Sequence, residues 1–333
     1  MTDRRVVVVT GGGGGIGAAV AEELGRQGAH VVTFDPLVTV DGAEQLPSDE
    51  ETTAGRIAAA GGSAVATNVS VTDGEAVRSA LEGLVAEHGQ IDAVVNVAGI
   101  SRPTSYTRGS DEDWRAVLSV HLDGYLNVLA SALPLMAEAG HGTILGVTSG
   151  SGWRPADAGA YSCAKRAVAA LTWQIGQVAP QGVTINAMSP IAVTRMVTEA
   201  LQRAKPAAAG STTAASGGLS LGSMPQPADL GPFGAYLAGE DFAWCTGEIL
   251  FAGGSEVAKV EPPQLLEVVR TDGAGSLPHL LEAVVPGAFA KAENGGGIFF
   301  VEFANAFFAS LVSGGRGRIG VDKMGINLKW DQA

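Results

Sequence analysis

The stretch Arg5-Val6-Val7-Val8-Val9-Thr10-Gly11-Gly12-Gly13-Gly14-Gly15-Ile16-Gly17 decides how this chain folds. Its first half is an unbroken β-branched run, the pattern of a strand buried on both faces of a parallel sheet. Its second half is a glycine run leading into a helical stretch, Ile16 to Gln27, ended by Gly28. Glycines at such a turn let the backbone come close to a pyrophosphate. The helix that follows offers free N–H groups and the positive end of its dipole. The spacing Gly11, Gly15, Gly17 departs from G-x-G-x-x-G, so the strand–turn–helix context carries the reading.

Working outward, His30 to Asp35 reads as the second strand. Val65–Asn68, Ala93–Val97, Thr143–Thr148 and Thr184–Ala187 read as further short apolar strands. Helical segments at Asp73–His88, Asp111–Ala139 and Ala158–Val178 separate them. This alternation predicts right-handed βαβ units: an α/β, Rossmann-like, doubly wound parallel sheet with helices on both faces. A last strand, Glu248–Ala252, ends at Gly253-Gly254, so the nucleotide-binding domain is expected at 1–254.

Three stretches break the rhythm. Pro36 to Glu51 is an acidic insertion after the second strand. Lys205 to Pro227 is rich in Ala, Ser, Gly and Pro, and a substrate lid is expected at about 197–227. Residues 255–333 form a C-terminal extension with helices expected at 262–270, 277–285 and 297–312. In the last of these, Phe299, Phe300, Phe303, Phe307 and Phe308 recur at helical spacing and need burial, on the domain or on a neighbouring subunit.

The chain has 333 residues and a net charge of −13, which argues against nucleic acid or an anionic membrane as partner. Two cysteines make no disulfide framework, so a reducing, cytoplasmic setting is expected. The N-terminus runs straight into a strand, so no signal peptide is expected. The longest apolar run, Ile298–Val312, carries Glu302 and Asn305 and is too short and polar to span a bilayer. No metal ligand set is assigned.

The candidate chemistry lies in Ala160-Tyr161-Ser162-Cys163-Ala164-Lys165. Residues four apart on a helix share a face. A Lys ammonium beside a Tyr hydroxyl is expected to lower the phenol pKa from about 10, giving an acid–base group that works near neutral pH. Asp35 closes the second strand about 20 residues beyond the glycine loop, where a carboxylate accepts both hydroxyls of an adenosine ribose and repels a 2′-phosphate. NAD is therefore expected over NADP. Asn68 ends the third strand, where its amide could contact adenine, and Asn96-Val97-Ala98-Gly99 ends the fourth.

Taken in order, these motifs resemble the short-chain dehydrogenase/reductase family over about residues 4–254. They are Thr10-Gly-x-x-x-Gly-Ile-Gly17, Asn96-x-Ala-Gly99, Ser149, Tyr161-x-x-x-Lys165 and Asn186-Ala-x-x-Pro190. The resemblance implies a dimeric or tetrameric enzyme moving hydride between nicotinamide and a carbinol or carbonyl carbon. It implies that Tyr161 is the general acid/base, that Lys165 lowers its pKa and binds the nicotinamide ribose, and that Ser149 hydrogen-bonds the substrate oxygen. It also implies cofactor contacts at Gly11, Gly15, Ile16, Gly17, Asp35, Asn68, Val69, Asn96, Ala98, Gly99, Pro190 and Thr194. Ser149 lies 12 residues before Tyr161, one fewer than is typical, so Thr148 or Ser151 could stand in.

Two departures matter. The family's helical Asn, joined through water to the active-site Lys, is replaced by His121, whose imidazole can also bridge a water and a backbone carbonyl. Pro190-Ile191 replaces the common Pro-Gly. His at that place, with an insertion after the second strand, more loosely resembles the (3R)-hydroxyacyl-CoA dehydrogenase, or 17β-hydroxysteroid dehydrogenase, module of peroxisomal multifunctional enzymes. The acidic insertion does not favour CoA at that spot; Arg102, Arg108, Arg154 and Arg195 are the candidate cations. The expectation is an NAD-dependent oxidoreductase acting on a secondary alcohol or its ketone, with hydroxyacyl-CoA, steroid and terpene-like alcohols as substrates to test. The rival is a non-catalytic NAD-sensing or scaffold protein that keeps the fold.

Overall fold

The computed structural model describes residues 4–47, 51–107, 109–154, 156–203, 225–253, 256–263, 318–322 and 325–329. Strands β1 (Val6–Thr10), β2 (His30–Phe34), β3 (Ser63–Thr67), β4 (Ala93–Asn96), β5 (Gly142–Val147), β6 (Val183–Pro190), β7 (Ile249–Gly253) and β8 (Glu256–Val260) form one sheet. Its order is β3-β2-β1-β4-β5-β6-β7-β8. All pairs from β3 through β7 are parallel, and β8 pairs antiparallel with β7. The order reverses between β1 and β4, the place where such sheets open a crevice at their carboxyl edge.

The β1 run shows why the sheet is buried on both sides. Val7 and Val9 face one layer, with Val20 and Leu24 of α1 (Gly15–Arg26). Val8 faces the other, with Val77 and Leu81 of α3 (Gly74–His88). Successive strand residues alternate faces, so a continuous apolar run serves two helical layers at once. Each such side chain contributes roughly 1.5–3 kcal/mol on burial.

The remaining helices are α2 (Thr53–Ala59), α4 (Asp111–Leu118), α5 (Gly124–Ala139), α6 (Gly150–Trp153), α7 (Ala160–Val178), α8 (Arg195–Arg203) and α9 (Pro227–Leu237). The single helix expected over 111–139 is interrupted: Ser119–Asp123 forms a π-helical turn with His121 at its centre. An inserted π turn re-aims the side chains around it and often marks a functional position. Asp111–Ala139 is also long and apolar enough, by length and composition, to cross a membrane. Here Tyr125, Val128, Leu129, Ala132 and Met136 of this rod are buried in the core.

Other readings shift. The first compact unit runs to Pro262 instead of Gly254, because β8 adds a strand where the extension was expected to begin. The expected lid starts as helix α8, and residues 204–224 lie outside the described residues. So do Arg108, Gly254 and residues 264–317, which hold the extension's expected helices and its Phe cluster. In the second unit, β9 (Arg318–Asp322) and β10 (Gly325–Lys329) form an antiparallel pair.

Candidate active site

A cavity of about 730 Å³ opens at the carboxyl edge of β1, β2, β4, β5 and β6. Gly11, Gly15, Ile16, Asp35, Val69, Ala98, Gly99, His121, Ser149, Tyr161, Lys165, Pro190 and Thr194 all line it. Three expected contacts do not. Gly17 is buried inside α1. Asn68 is exposed beside the cavity, whose wall there is Val69 to Thr72. Asn96 is buried, its Oδ1 accepting from Thr10 Oγ1 at 2.8 Å, so it ties β1 to β4.

The glycine loop is shaped as a cradle. Gly11 has φ +66° and lies so close to Ala98 that a methyl there would come within 2.7 Å of its backbone. Any other residue would fill the cleft as well as strain the turn. Asp35 lines the same end. Its Oδ2 accepts from Gly13 N at 2.8 Å and its Oδ1 from Leu37 N at 2.8 Å, leaving lone pairs on both oxygens for further donors. The nucleotide end therefore has a backbone cradle and a fixed carboxylate, and an adenosine–pyrophosphate group fits this donor and acceptor set.

Across the cavity, α7 carries Tyr161 and Lys165 on one face. Ser149 caps α6, accepting from Ser151 N at 3.3 Å, and lines the cavity with Tyr161, whose pKa it pulls down. The alternative Thr148 is spent: its Oγ1 donates to Lys165 O at 2.6 Å. Lys165 is buried, donates from Nζ to Val147 O at 2.7 Å, and lies 5.7 Å from the Tyr161 ring centroid.

One expectation is reversed. Burial pushes the Tyr161 phenol above its ordinary pKa, and the Ser149 hydrogen bond pulls only partly against it. Desolvation also pushes Lys165 down, to about 7, so its stabilising charge is weakened at neutral pH. Both groups sit in a dry wall, where loss of hydration is the largest cause of each shift.

His121 is buried, with its ring edge-on to Tyr161 at 5.1 Å between centroids. Its Nε2 lies 3.1 Å from Ile100 N and 2.8 Å from Ile100 O, so one tautomer accepts from the N–H and the other donates to the carbonyl. In either case Nδ1 is buried with no partner among the described residues. Burial and the Lys165 charge push its pKa down to about 3. The imidazole is thus neutral at working pH. The unfolded chain binds a proton on this residue below about 6.5 and the native state does not, so His121 removes stability as pH falls from 6.5 toward 3. We expect about 2 kcal/mol of loss from this residue at pH 5 relative to pH 7, absent in His121→Asn; equal acid sensitivity in urea titrations of both proteins would refute it.

Sequence reading missed the role of the insertion. Leu37 N to Leu46 folds back on itself through Leu46 N→Leu37 O at 2.7 Å and Thr39 N→Glu44 O at 2.8 Å. Val38, Thr39, Val40 and Gly42 then wall the cavity. The strap is held by Ser101 N→Val40 O at 2.7 Å and Arg102 Nε→Asp41 O at 2.8 Å. Arg102 also pairs with Asp113 at 3.4 Å. The acidic composition hid an apolar inner edge: the Asp41 carboxylate accepts instead from Thr39 and Ala43.

The model of the short chain dehydrogenase family matches residues 5–206. The chain belongs to that family. Among similar proteins, the short-chain reductase protein NovJ of Streptomyces niveus is 32% identical over 72% of this chain and 88% of its own length. The peroxisomal hydratase-dehydrogenase-epimerase of Neurospora crassa is 30% identical over 87% of this chain, which spans 30% of that longer protein. A crystal structure of a short chain dehydrogenase from Mycobacterium avium superposes with a TM-score of 0.64 at 29% identity, covering 84% of this chain and 93% of that one. Family membership makes this dehydrogenase an oxidoreductase with a nicotinamide cofactor and a small-molecule substrate.

Proposed function

We propose that this dehydrogenase uses NAD to interconvert a secondary alcohol and its ketone, with Tyr161, Ser149 and Lys165 as its catalytic residues. The observation that carries the reading is the continuity of one cavity from the Asp35 carboxylate to the Ser149, Tyr161 and Lys165 side chains. The dinucleotide, when bound, supplies the hydride acceptor or donor. Gly11, Gly15, Ile16 and Asp35 hold its adenosine half, while Lys165, Pro190 and Thr194 hold the nicotinamide half.

The protein's own groups handle the proton. Tyr161 Oη takes a proton from the alcohol or gives one to the ketone, and Ser149 Oγ hydrogen-bonds the same substrate oxygen as its charge develops. The raised phenol pKa favours the protonated form, the donor that ketone reduction needs. His121, held neutral, presents Nδ1 for a water that connects Lys165 to the Ile100 backbone. An acyl thioester is the first substrate to test, on the resemblance to hydroxyacyl-CoA dehydrogenase modules; a hydratase-dehydrogenase-epimerase is among the relatives and matches over 87% of this chain. Steroid and terpene-like alcohols follow, since Ile100, Val120, Ile191 and Met196 give the cavity an apolar wall. A dimer or tetramer belongs to this reading, supported by the exposed Trp244 (77%) and Tyr236 (46%). A reducing compartment is supported by Cys163 and Cys245, both free thiols.

The test is initial rates of nicotinamide reduction across 3-hydroxyacyl thioesters, steroid alcohols and terpene alcohols, with NAD and NADP in parallel. Turnover with NAD is expected. No turnover of any alcohol by protein that binds NAD would overturn the reading. Asp35→Asn keeps the shape but removes the charge that opposes a 2′-phosphate, and should cut the preference for NAD over NADP by about tenfold or more. An unaltered preference would remove Asp35 from this role.

A further inference from the structure

We propose that Arg195 is a clamp on the diphosphate of the bound dinucleotide, reaching over the glycine loop from the opposite wall. The proposal rests on the nucleotide reading above and adds a cation that the loop itself lacks. A methyl built on Gly14 would stand 3.1 Å from Arg195 Nη2, and one built on Gly15 would stand 3.6 Å from Thr194 Cγ2. The Thr194–Arg195 segment therefore lies across the loop, and both residues line the cavity.

Charge favours an anion between them. α1 begins without a side-chain cap and has no acidic residue in its first turn, so its N-terminal N–H groups are not neutralised from within. Among the described residues the Arg195 guanidinium has no ion-pair partner, whereas Arg102 in the same cavity is held by Asp113 and Glu112. In a chain of net charge −13, an unpaired guanidinium beside an uncapped helix start is a local positive site. Its planar fork suits two oxygens of a diphosphate.

Position selects the diphosphate over a ribose 2′-phosphate. Asp35 holds Gly13 N, and its carboxylate guards the ribose end. Arg195 stands one residue further along, at Gly14, toward the start of α1. It also heads α8, whose Met196 and Val197 line the cavity, so the same contact ties the nucleotide to the wall of the substrate space.

The experiment is calorimetric titration of the full chain with ADP-ribose, adenosine, NAD and 2′,5′-ADP, for the wild type, Arg195→Ala and Arg195→Lys. The Arg195 side chain is exposed outside the core, so both variants should keep the wild-type unfolding temperature. Arg195→Ala should bind ADP-ribose and NAD about ten- to a hundredfold more weakly and adenosine equally well. Arg195→Lys should recover part of that loss, because it restores charge without the fork. An unchanged ADP-ribose affinity, or a loss confined to 2′,5′-ADP, overturns the clamp and leaves the NAD reading intact. Failure of the wild type to bind ADP-ribose or NAD at all overturns both.

Discussion

Tyr161→Phe is expected to lower kcat by about 10²–10⁴-fold while dinucleotide affinity stays unchanged. The substitution removes one oxygen and little else. The ring packs with Ile100, Val117 and Ala160 and meets His121 edge-on, contacts that Phe can keep. The hydroxyl is the group that the proposed mechanism uses to exchange the proton of the substrate oxygen. Burial raises the phenol pKa, so Tyr161 is neutral at working pH and Phe replaces an uncharged side chain. Losing the hydroxyl should leave the unfolding temperature close to that of the wild type. Steady-state rates and NAD titration on the same preparation check both halves. A variant that turns over at the wild-type rate would remove Tyr161 as the proton carrier.

Lys165→Met is expected to split activity from stability. The ammonium is buried, and desolvation holds its pKa at about 7 against an ordinary 10.5. Between those values the unfolded chain binds a proton at this residue that the native state has released. By linkage, native stability therefore rises as pH climbs from about 7 to 10.5. Met has a similar length and no charge to desolvate. The variant should be about 1–3 kcal/mol more stable near pH 7, with the rise toward alkaline pH flattened, although Val147 O loses its 2.7 Å donor. Under the roles proposed above, with Lys165 beside Tyr161 and against the nicotinamide ribose, its kcat should fall by about 10²–10⁴-fold and its dinucleotide affinity should drop. Urea denaturation across pH, read beside the kinetics, tests the split. A destabilised variant with wild-type pH dependence would show that Lys165 is charged and paired in the native state.

Local pattern went far. The Val6–Val9 run and the glycines after it marked a buried parallel strand feeding a helix, and β1 and α1 stand within a residue of those bounds. Asp73 and Gly89 bracket α3 as cap residues, so its ends were readable too. The Tyr161–Lys165 spacing placed both groups on one helical face, and both reach the cavity. What failed was decided by contacts distant in sequence. The π turn at Ser119–Asp123 has no periodicity of its own, and it took the packing of His121 against Gly99 and Ile100 to reveal it. Asn96 looked like a ligand group because it ends a strand, yet Thr10, 86 positions away, claims its side chain.

The linear sequence by itself determined the α/β sheet, the glycine cradle with its acidic partner Asp35, and the one-turn pairing of Tyr161 with Lys165. Each follows from residues close together in the chain, where β-branching, glycine freedom and helical pitch act locally. Only the tertiary structure decided that the acidic insertion becomes an apolar-edged wall, that Arg195 lies over the glycine loop, and that Tyr161 is raised in pKa instead of lowered. Those outcomes depend on how much water the packed wall excludes and on which distant groups meet across it, and hydration is a property of the assembled cavity.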